Sequence, residues 1–351
     1  MEIRVKAEDL QSLVGKLKPV VSDTIVLDLK NGQMYGFDSW LTVVVTDPKL
    51  KAPDAEDLDG PVAVSSKQFV ALVQRAKGEV GLSIVGSRVL GHYKRVKFDL
   101  PSSYPTRRPD APPPVNYKLP LQELASAVAF ASSGADPKEH YKVTGIVRLT
   151  AINNFLRAIA LDGKHMTVAD MPFMHEDFSI NCPAMLAGAI KYLEGDIVEV
   201  SENKNVICLV TPQVTIIGLK LASEQPPNVD SYFPTNPTFE AEVAADAMAE
   251  ALKNVSPTLA FNEVYEVSPV RLAFSNDSVH LSTTDGKAKA EDWIDCSSLN
   301  SFETTIDHRC LREFFNLVKG MAVKITGTNG IKPILFTAGN YKLLVAPKVT
   351  A

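Results

Sequence analysis

Cysteine is scarce in this 351-residue chain, and the four present (Cys182, Cys208, Cys296, Cys310) follow no paired spacing. This argues against a disulfide framework and against a zinc site, and predicts buried, reduced thiols. Long apolar runs are missing too. Leu41 to Val45 is among the longest, far short of the roughly 20 residues a membrane helix needs. The opening Met1-Glu2-Ile3-Arg4-Val5 alternates like a strand and lacks the apolar core of a secretion signal, so a cytoplasmic protein with no membrane partner is expected. Excess positive charge is absent. A net charge of −5 argues against a surface that grips nucleic acid everywhere, but leaves room for cations gathered on one face.

Reaction centres are missing as well. There is no GxxxxGK[ST] loop, no GxGxxG after a strand, no GxSxG elbow and no HExxH. His308-Arg309-Cys310 opens a repeated helix and reads as structural rather than as a nucleophile pair. Asp285-Gly286 and Asn329-Gly330 read as turns. Asp162-Gly163-Lys164-His165 is the one turn rich enough to suggest catalysis, and its plain reading is a solvated hairpin tip. No catalytic residue, cofactor or metal is expected.

What the chain does contain is repetition. Hydrophobic content of 45% with 22% charged residues is globular, and the length suits two or three domains. Three amphipathic helices start at Ser66, Pro183 and His308, and each runs into a glycine turn and an alternating strand. The glycines, Gly78, Gly195 and Gly320, lie 117 and 125 residues apart, a whole-domain period and not a solenoid repeat. Each third also opens with a strand and a helix; Leu10, Leu13, Val14 and Leu17 give the i, i+3, i+4, i+7 spacing in the first. Proline-rich stretches, six in 14 residues at Pro101 to Pro114 and four in 12 at Pro226 to Pro237, separate the copies. The expected domains are 1–114, 115–236 and 237–351. The expected class is α+β, with two helices per domain packed on largely antiparallel sheets.

Three segments carry a family resemblance. Ala160-Leu161-Asp162-Gly163-Lys164-His165-Met166 through Met171-Pro172 resembles the T-D-G-H-R-L-type turn, strand and Met-Pro of the bacterial DNA polymerase III β-subunit sliding clamp. Leu219-Lys220-Leu221 through Ser231-Tyr232-Phe233-Pro234 is similar to that family's inter-domain linker, and Leu344-Val345-Ala346-Pro347-Lys348 to its C-terminus. With the three-copy layout the resemblance spans the whole chain. It implies a processivity factor: a head-to-tail homodimer whose six domains form a closed ring around duplex DNA, helices inward, served by a polymerase and a clamp loader.

Residue by residue, the resemblance implies a partner-peptide groove at Val143, Leu161, Gly163, Lys164, His165, Met166, Pro227, Ser231, Tyr232, Val345, Ala346, Pro347 and Lys348. His165 stands where relatives usually have arginine, and Tyr232 where they have an aliphatic residue. A ring needs only non-specific cations facing phosphate; the candidates are Lys16, Lys67, Arg75, Lys138, Tyr141, Lys142, Lys191, Lys253, Arg309 and Arg312. Two departures point to weaker DNA contact: Ala184 and Met185 replace basic residues, and Ser22-Asp23-Thr24 lacks an arginine. For ring closure, Lys94-Arg95-Val96-Lys97-Phe98 reads as a basic strand and Lys289 to Asp295 as an acidic one, with Arg95, Lys97, Glu291 and Asp292 at the dimer interface. The competing readings are a three-domain α+β enzyme with its site around Asp162 to His165, and an adaptor ring that binds no nucleic acid.

Overall fold

The structure is a computed structural model that describes residues 2–20, 23–53, 60–136, 138–139, 142–220, 229–259, 268–284, 288–329 and 331–348. In the first third, β1 (Ile3–Lys6) runs into α1 (Ala7–Lys16), followed by β2 (Thr24–Asp28), β3 (Gln33–Phe37), β4 (Leu41–Thr46) and β5 (Val62–Ser65). Then come α2 (Ser66–Arg75), β6 (Glu79–Val85), β7 (Arg88–Tyr93) and β8 (Val96–Ser103).

The second third repeats that order with β9 (Tyr117–Pro120), α3 (Leu121–Ala131), β10 (Ile146–Ile152), β11 (Phe155–Leu161), β12 (His165–Pro172) and β13 (Phe178–Pro183). It continues with α4 (Ala184–Ala189), β14 (Ile197–Glu202), β15 (Val206–Val210) and β16 (Val214–Leu219). The last third has β17 (Phe239–Ala244), α5 (Ala245–Val255), β18 (Pro269–Phe274), β19 (Ser278–Thr284), β20 (Lys289–Asp295), a two-residue β21 (Ser297–Ser298) and β22 (Phe302–Asp307). It closes with α6 (His308–Leu317), β23 (Ala322–Gly327), β24 (Ile334–Ala338) and β25 (Tyr341–Val345).

The repetition is physical as well as sequential. Gly78, Gly195 and Gly320 all hold positive φ (81°, 122° and 78°), where a side chain would be strained, and each launches a strand. The first residue of each early helix donates its backbone N–H to this turn: Ala7 to Gly78, Leu121 to Asp196 and Ala245 to Met321. The helices fold for ordinary reasons. In α1, Leu10, Leu13 and Val14 are buried, Glu8 and Asp9 sit in the first turn and Lys16 in the last, matching the helix dipole. Asp307 caps α6 by accepting from the Arg309 N–H.

The chain divides into two compact units, 1–125 with 185–221, and 126–184 with 222–351. The first holds a 12-stranded antiparallel sheet in the order β1-β6-β7-β8-β5-β2-β3-β4-β16-β15-β14-β9. Val43, Val45 and Leu41 in its centre are buried, and α1 and α2 are tied by Gln11 Nε2, which donates to the carbonyls of Val73 and Ala76. The second unit holds a nine-stranded sheet, β13-β10-β11-β12-β25-β24-β23-β17-β21, and a four-stranded one, β20-β19-β18-β22. There, α5 and α6 are tied by a 2.8 Å contact from His308 Nε2 to the Leu252 carbonyl. The class is α+β with antiparallel sheets, as expected. The compact units do not coincide with the three sequence copies, because each half of the middle copy is hydrogen bonded into the sheet of a different flanking copy.

Those two junctions follow one rule. In the first unit β4 pairs with β16, Leu41 opposite Gly218; in the second, β12 pairs with β25, His165 opposite Val345. Leu41 and His165 are each the second residue past the midpoint of their own hairpin, and Gly218 and Val345 each the sixth past theirs. Both junctions therefore share the same register.

Candidate functional site

The second unit carries a cleft of about 280 Å³ lined by Leu161, Gly163, Lys164, His165, Met166, Tyr232, Pro333, Leu344 and Ala346. Its floor is the β12–β25 pairing, where Met166 faces Leu344 over a cluster of Ile159, Val168 and Val229. The mouth is shaped by the turn between β11 and β12. Asp162 Oδ1 accepts from the backbone N–H groups of Lys164 (2.7 Å) and His165 (2.8 Å), and Gly163 supplies the positive φ of 85° that the turn requires. The tip is thus fixed rather than merely solvated.

Tyr232 stands 51% exposed at the rim, on a 3-10 turn, Val229–Tyr232. An ion network holds that turn. Arg157 bonds Asp170 at 2.6 Å and Asp230 at 2.9 Å, while Lys342 bonds Asp170 at 2.7 Å and lies over the Phe233 ring. Apolar walls with a fixed aromatic lip and a few polar backbone groups suit an extended peptide with apolar side chains.

His165 lies beneath the cleft. Its Nδ1 is 3.0 Å from Asp162 Oδ1, its Nε2 3.2 Å from the Ser133 carbonyl, and Cys310 of α6 packs on the same ring. Nδ1 lies against the carboxylate without a well-aligned hydrogen bond, and that nearby charge favours the protonated ring. Burial alone would expel the proton, but Asp162 and Cys310 outweigh it and lift the imidazole pKa to about 10. Burial works against the Asp162 charge in turn, yet His165 and the two backbone donors keep that carboxyl below its ordinary range. A fixed cation thus occupies the place where the resemblance implies an arginine.

Of the groove residues expected from sequence, Leu161, Gly163, Lys164, His165, Met166, Tyr232 and Ala346 line this cleft. Val345 is buried in the β25 ladder, and Val143 lies in a 3-10 turn, Val143–Gly145, apart from the lining. Ser231, Pro347 and Lys348 flank it without lining it, Lys348 donating its backbone N–H to the Thr305 carbonyl. Pro333 and Leu344 were missed. The pairing of Leu344 with Met166 and the loop position of Pro333 decide their place, and neither is legible before the strands are aligned. Pro227 and Tyr141 lie outside the described residues, as do Ser22, Asp285, Gly286 and Gly330.

The candidate cations lie mostly on exposed helix faces: Lys67 and Arg75 on α2, Lys253 on α5, Arg309 and Arg312 on α6. Lys191, exposed, follows α4 and lies over the Tyr192 ring. Lys138 is exposed, and Lys142 is exposed but paired with Glu139 at 2.7 Å. Lys16 is a correction. It is 6% exposed and locked between Glu194 (2.8 Å) and Gln213 (2.9 Å), so it is a buried strut and not a surface cation. The thiols also need one amendment, since Cys296 is only half-buried whereas Cys182, Cys208 and Cys310 are buried.

The expected basic edge is corrected in part. Lys94 and Arg95 form the turn of the β7–β8 hairpin, Lys94 with φ 51°, and β8 begins at Val96. Among the described residues, β8 meets β5 only at Ser102 and Ser103, which leaves the Val96 to Leu100 edge open. Among the described residues β20 ends its sheet with β19 as its one strand neighbour, and Trp293 on it is 60% exposed. Asp292, expected at the same interface, turns toward α5 and accepts from Asn254.

No protein-family profile matches the chain, and no curated protein sequence matches it. Solved structures do. The chain is similar to the DNA polymerase sliding clamp of Bacillus subtilis, at TM-score 0.82 and 14% identity over 100% of both chains. It is likewise similar to the β subunit of DNA polymerase from Streptococcus pyogenes (TM-score 0.82, 15% identity) and to a Pseudomonas aeruginosa sliding clamp solved with griselimycin bound (TM-score 0.81, 15% identity), again over 100% of both chains. The fold is that of the bacterial polymerase sliding clamps, from end to end. Among the described residues no helix is long and apolar enough to cross a membrane.

Proposed function

We propose that this protein is a cytoplasmic sliding clamp: a homodimeric ring of three-domain chains, divided near residues 114 and 236, that encircles duplex DNA and tethers a polymerase without catalysing a reaction. The observation that carries this reading is the shared junction rule. The strand after the third-strand hairpin of copy one pairs with the last strand of copy two, and the same holds for copies two and three. Applied once more, the rule leaves β20 of copy three and β8 of copy one unmatched within the chain, and a second copy satisfies both.

The other features fit. Exposed Lys67, Arg75, Lys138, Lys142, Lys191, Lys253, Arg309 and Arg312 would touch phosphates without reading sequence. Such contacts hold weakly enough to let a ring slide. The cleft beside Tyr232 would take the short peptides of polymerase and clamp loader, each apolar anchor gaining roughly 25 cal/mol per Å² buried.

The test is a loading assay. A clamp sediments as a dimer, stays on circular plasmid after loading, leaves when the plasmid is linearised, and stimulates a polymerase. Retention that ignores linearisation would sink the ring; substrate turnover abolished by Lys164→Ala with the fold intact would instead favour an enzyme.

A further inference from the structure

The seam that would close the ring can be specified residue by residue. Each of the two junctions inside the chain places the second residue past one hairpin midpoint opposite the sixth residue past the other. The β19–β20 hairpin, set by Thr284 opposite Lys289, makes Ala288 the second residue; the β7–β8 hairpin, set by Tyr93 opposite Val96, makes Leu100 the sixth. Resting on the clamp reading, we infer that the ring closes in this register, with Lys97 of one copy opposite Glu291 of the other, Asp99 opposite Lys289, and Arg95 over Trp293.

Three independent observations agree with that register. The first is facing. On β8 the odd-numbered Lys97 and Asp99 are exposed while Phe98 and Leu100 turn inward; on β20 the odd-numbered Lys289, Glu291 and Trp293 are exposed while Ala290 and Asp292 turn inward. The transferred register matches outer residues with outer residues, and a one-residue slip would put every side chain on the wrong face.

The second is charge. A two-residue slip one way sets Lys97 opposite Lys289; the other way sets Asp99 opposite Glu291. Like charges directly opposite on a ladder are destabilising, so only the inferred register satisfies both pairs. The acidic and basic residues therefore select the register as well as attract.

The third is preorganisation. Trp293 already stacks on His280, centroids 4.5 Å apart at 18°, and Glu291 lies 3.0 Å from His280 Nε2. The β20 face is built before any partner arrives, and a guanidinium from Arg95 would cover the exposed face of the indole. By contrast, the junctions within the chain carry apolar pairs directly opposite one another: Val43 and Val45 with Ile216 and Val214 in one, Met166 with Leu344 in the other, where Lys342 lies opposite Val168. The closing seam is held largely by charge, so it is the salt-sensitive one.

Cysteine pairs read the register directly, in a Cys296→Ser background. Lys97→Cys with Glu291→Cys should oxidise to a crosslinked dimer, whereas Lys97→Cys with Lys289→Cys or with Trp293→Cys should not, because diagonal neighbours lie about 7–8 Å apart with Cβ atoms only somewhat closer, beyond the roughly 3.5–4.5 Å a disulfide spans. A charge swap provides the second readout. Lys97→Glu should weaken the dimer by about tenfold, the addition of Glu291→Lys should restore it to within about threefold, and added salt should weaken the native dimer more than the swapped-to-neutral Lys97→Gln/Glu291→Gln one. Crosslinking of a displaced pair in a protein that still dimerises overturns the register and leaves the clamp reading standing. A protein that stays monomeric at every salt concentration overturns both.

Discussion

Lys16 and Glu194, separated by 178 positions in the chain, meet at 2.8 Å, and Gln213 completes the ammonium's coordination at 2.9 Å. The lysine is buried whereas the side chain of Glu194 is 59% exposed, so the ion pair is screened on one side. Lys16→Met should cost about 1 kcal/mol by urea denaturation, mostly from leaving Gln213 without a donor. DNA retention should not change. A double Lys67→Ala, Arg312→Ala variant, at two exposed helix positions, should behave oppositely: unchanged unfolding, and a salt slope of DNA association reduced by about 2.

His165 sets an alkaline limit. Its folded pKa of about 10 lies above the ordinary 6.5, so the folded state holds the proton more tightly than the unfolded chain does. Its contribution is complete below pH ~6.5 and disappears as pH rises to about 10, the groups around the ring being Asp162, Cys310 and the Ser133 carbonyl. Thermal unfolding between pH 7 and 10.5 should show this loss, and His165→Gln should flatten it. An equally steep profile in the variant would place the alkaline transition elsewhere.

The cleft separates binding from stability. Met166, 5% exposed in the floor, should cost about 2–4 kcal/mol of unfolding free energy on change to alanine. Tyr232→Ala removes a half-exposed rim residue and should shift stability by no more than about 0.5 kcal/mol. Affinity for an apolar polymerase-tail peptide, measured by fluorescence polarisation, should nevertheless fall about tenfold in Tyr232→Ala.

Gly91 is required by its neighbour. A Cβ there would overlap the ring of Phe98 across the β7–β8 ladder. Gly91→Ala should therefore displace Phe98, destabilise the fold by about 1–3 kcal/mol and weaken any association through β8, whereas Gly15→Ala, which meets nothing within 4 Å, should be neutral or stabilising. Chemical denaturation of the two variants side by side checks the contrast.

Much of the fold was legible because its signals are local. The i, i+3, i+4, i+7 apolar spacing read at Leu10, Leu13, Val14 and Leu17 appears at the expected place, in and just after α1. The turn at Asp162 and Gly163 was visible for the same reason. Arg95 was misassigned to a strand because a two-residue turn of charged residues looks like alternation, and only the Tyr93 to Val96 pairing exposes it. Lys16 was misassigned because a helix periodicity cannot say which solvent-facing position will be covered by a residue 178 positions away.

The sequence by itself determined three repeats of strand, helix, sheet, helix and sheet, because periodicity and the special backbone angles of glycine act within a few residues. The tertiary structure alone decided register: that His165 faces Val345, that Pro333 and Leu344 join the cleft, and that β8 and β20 keep open edges. Register arises from pairing strands far apart in the chain, and a ladder's energy depends on which side chains end up opposite one another, a quantity no single segment contains.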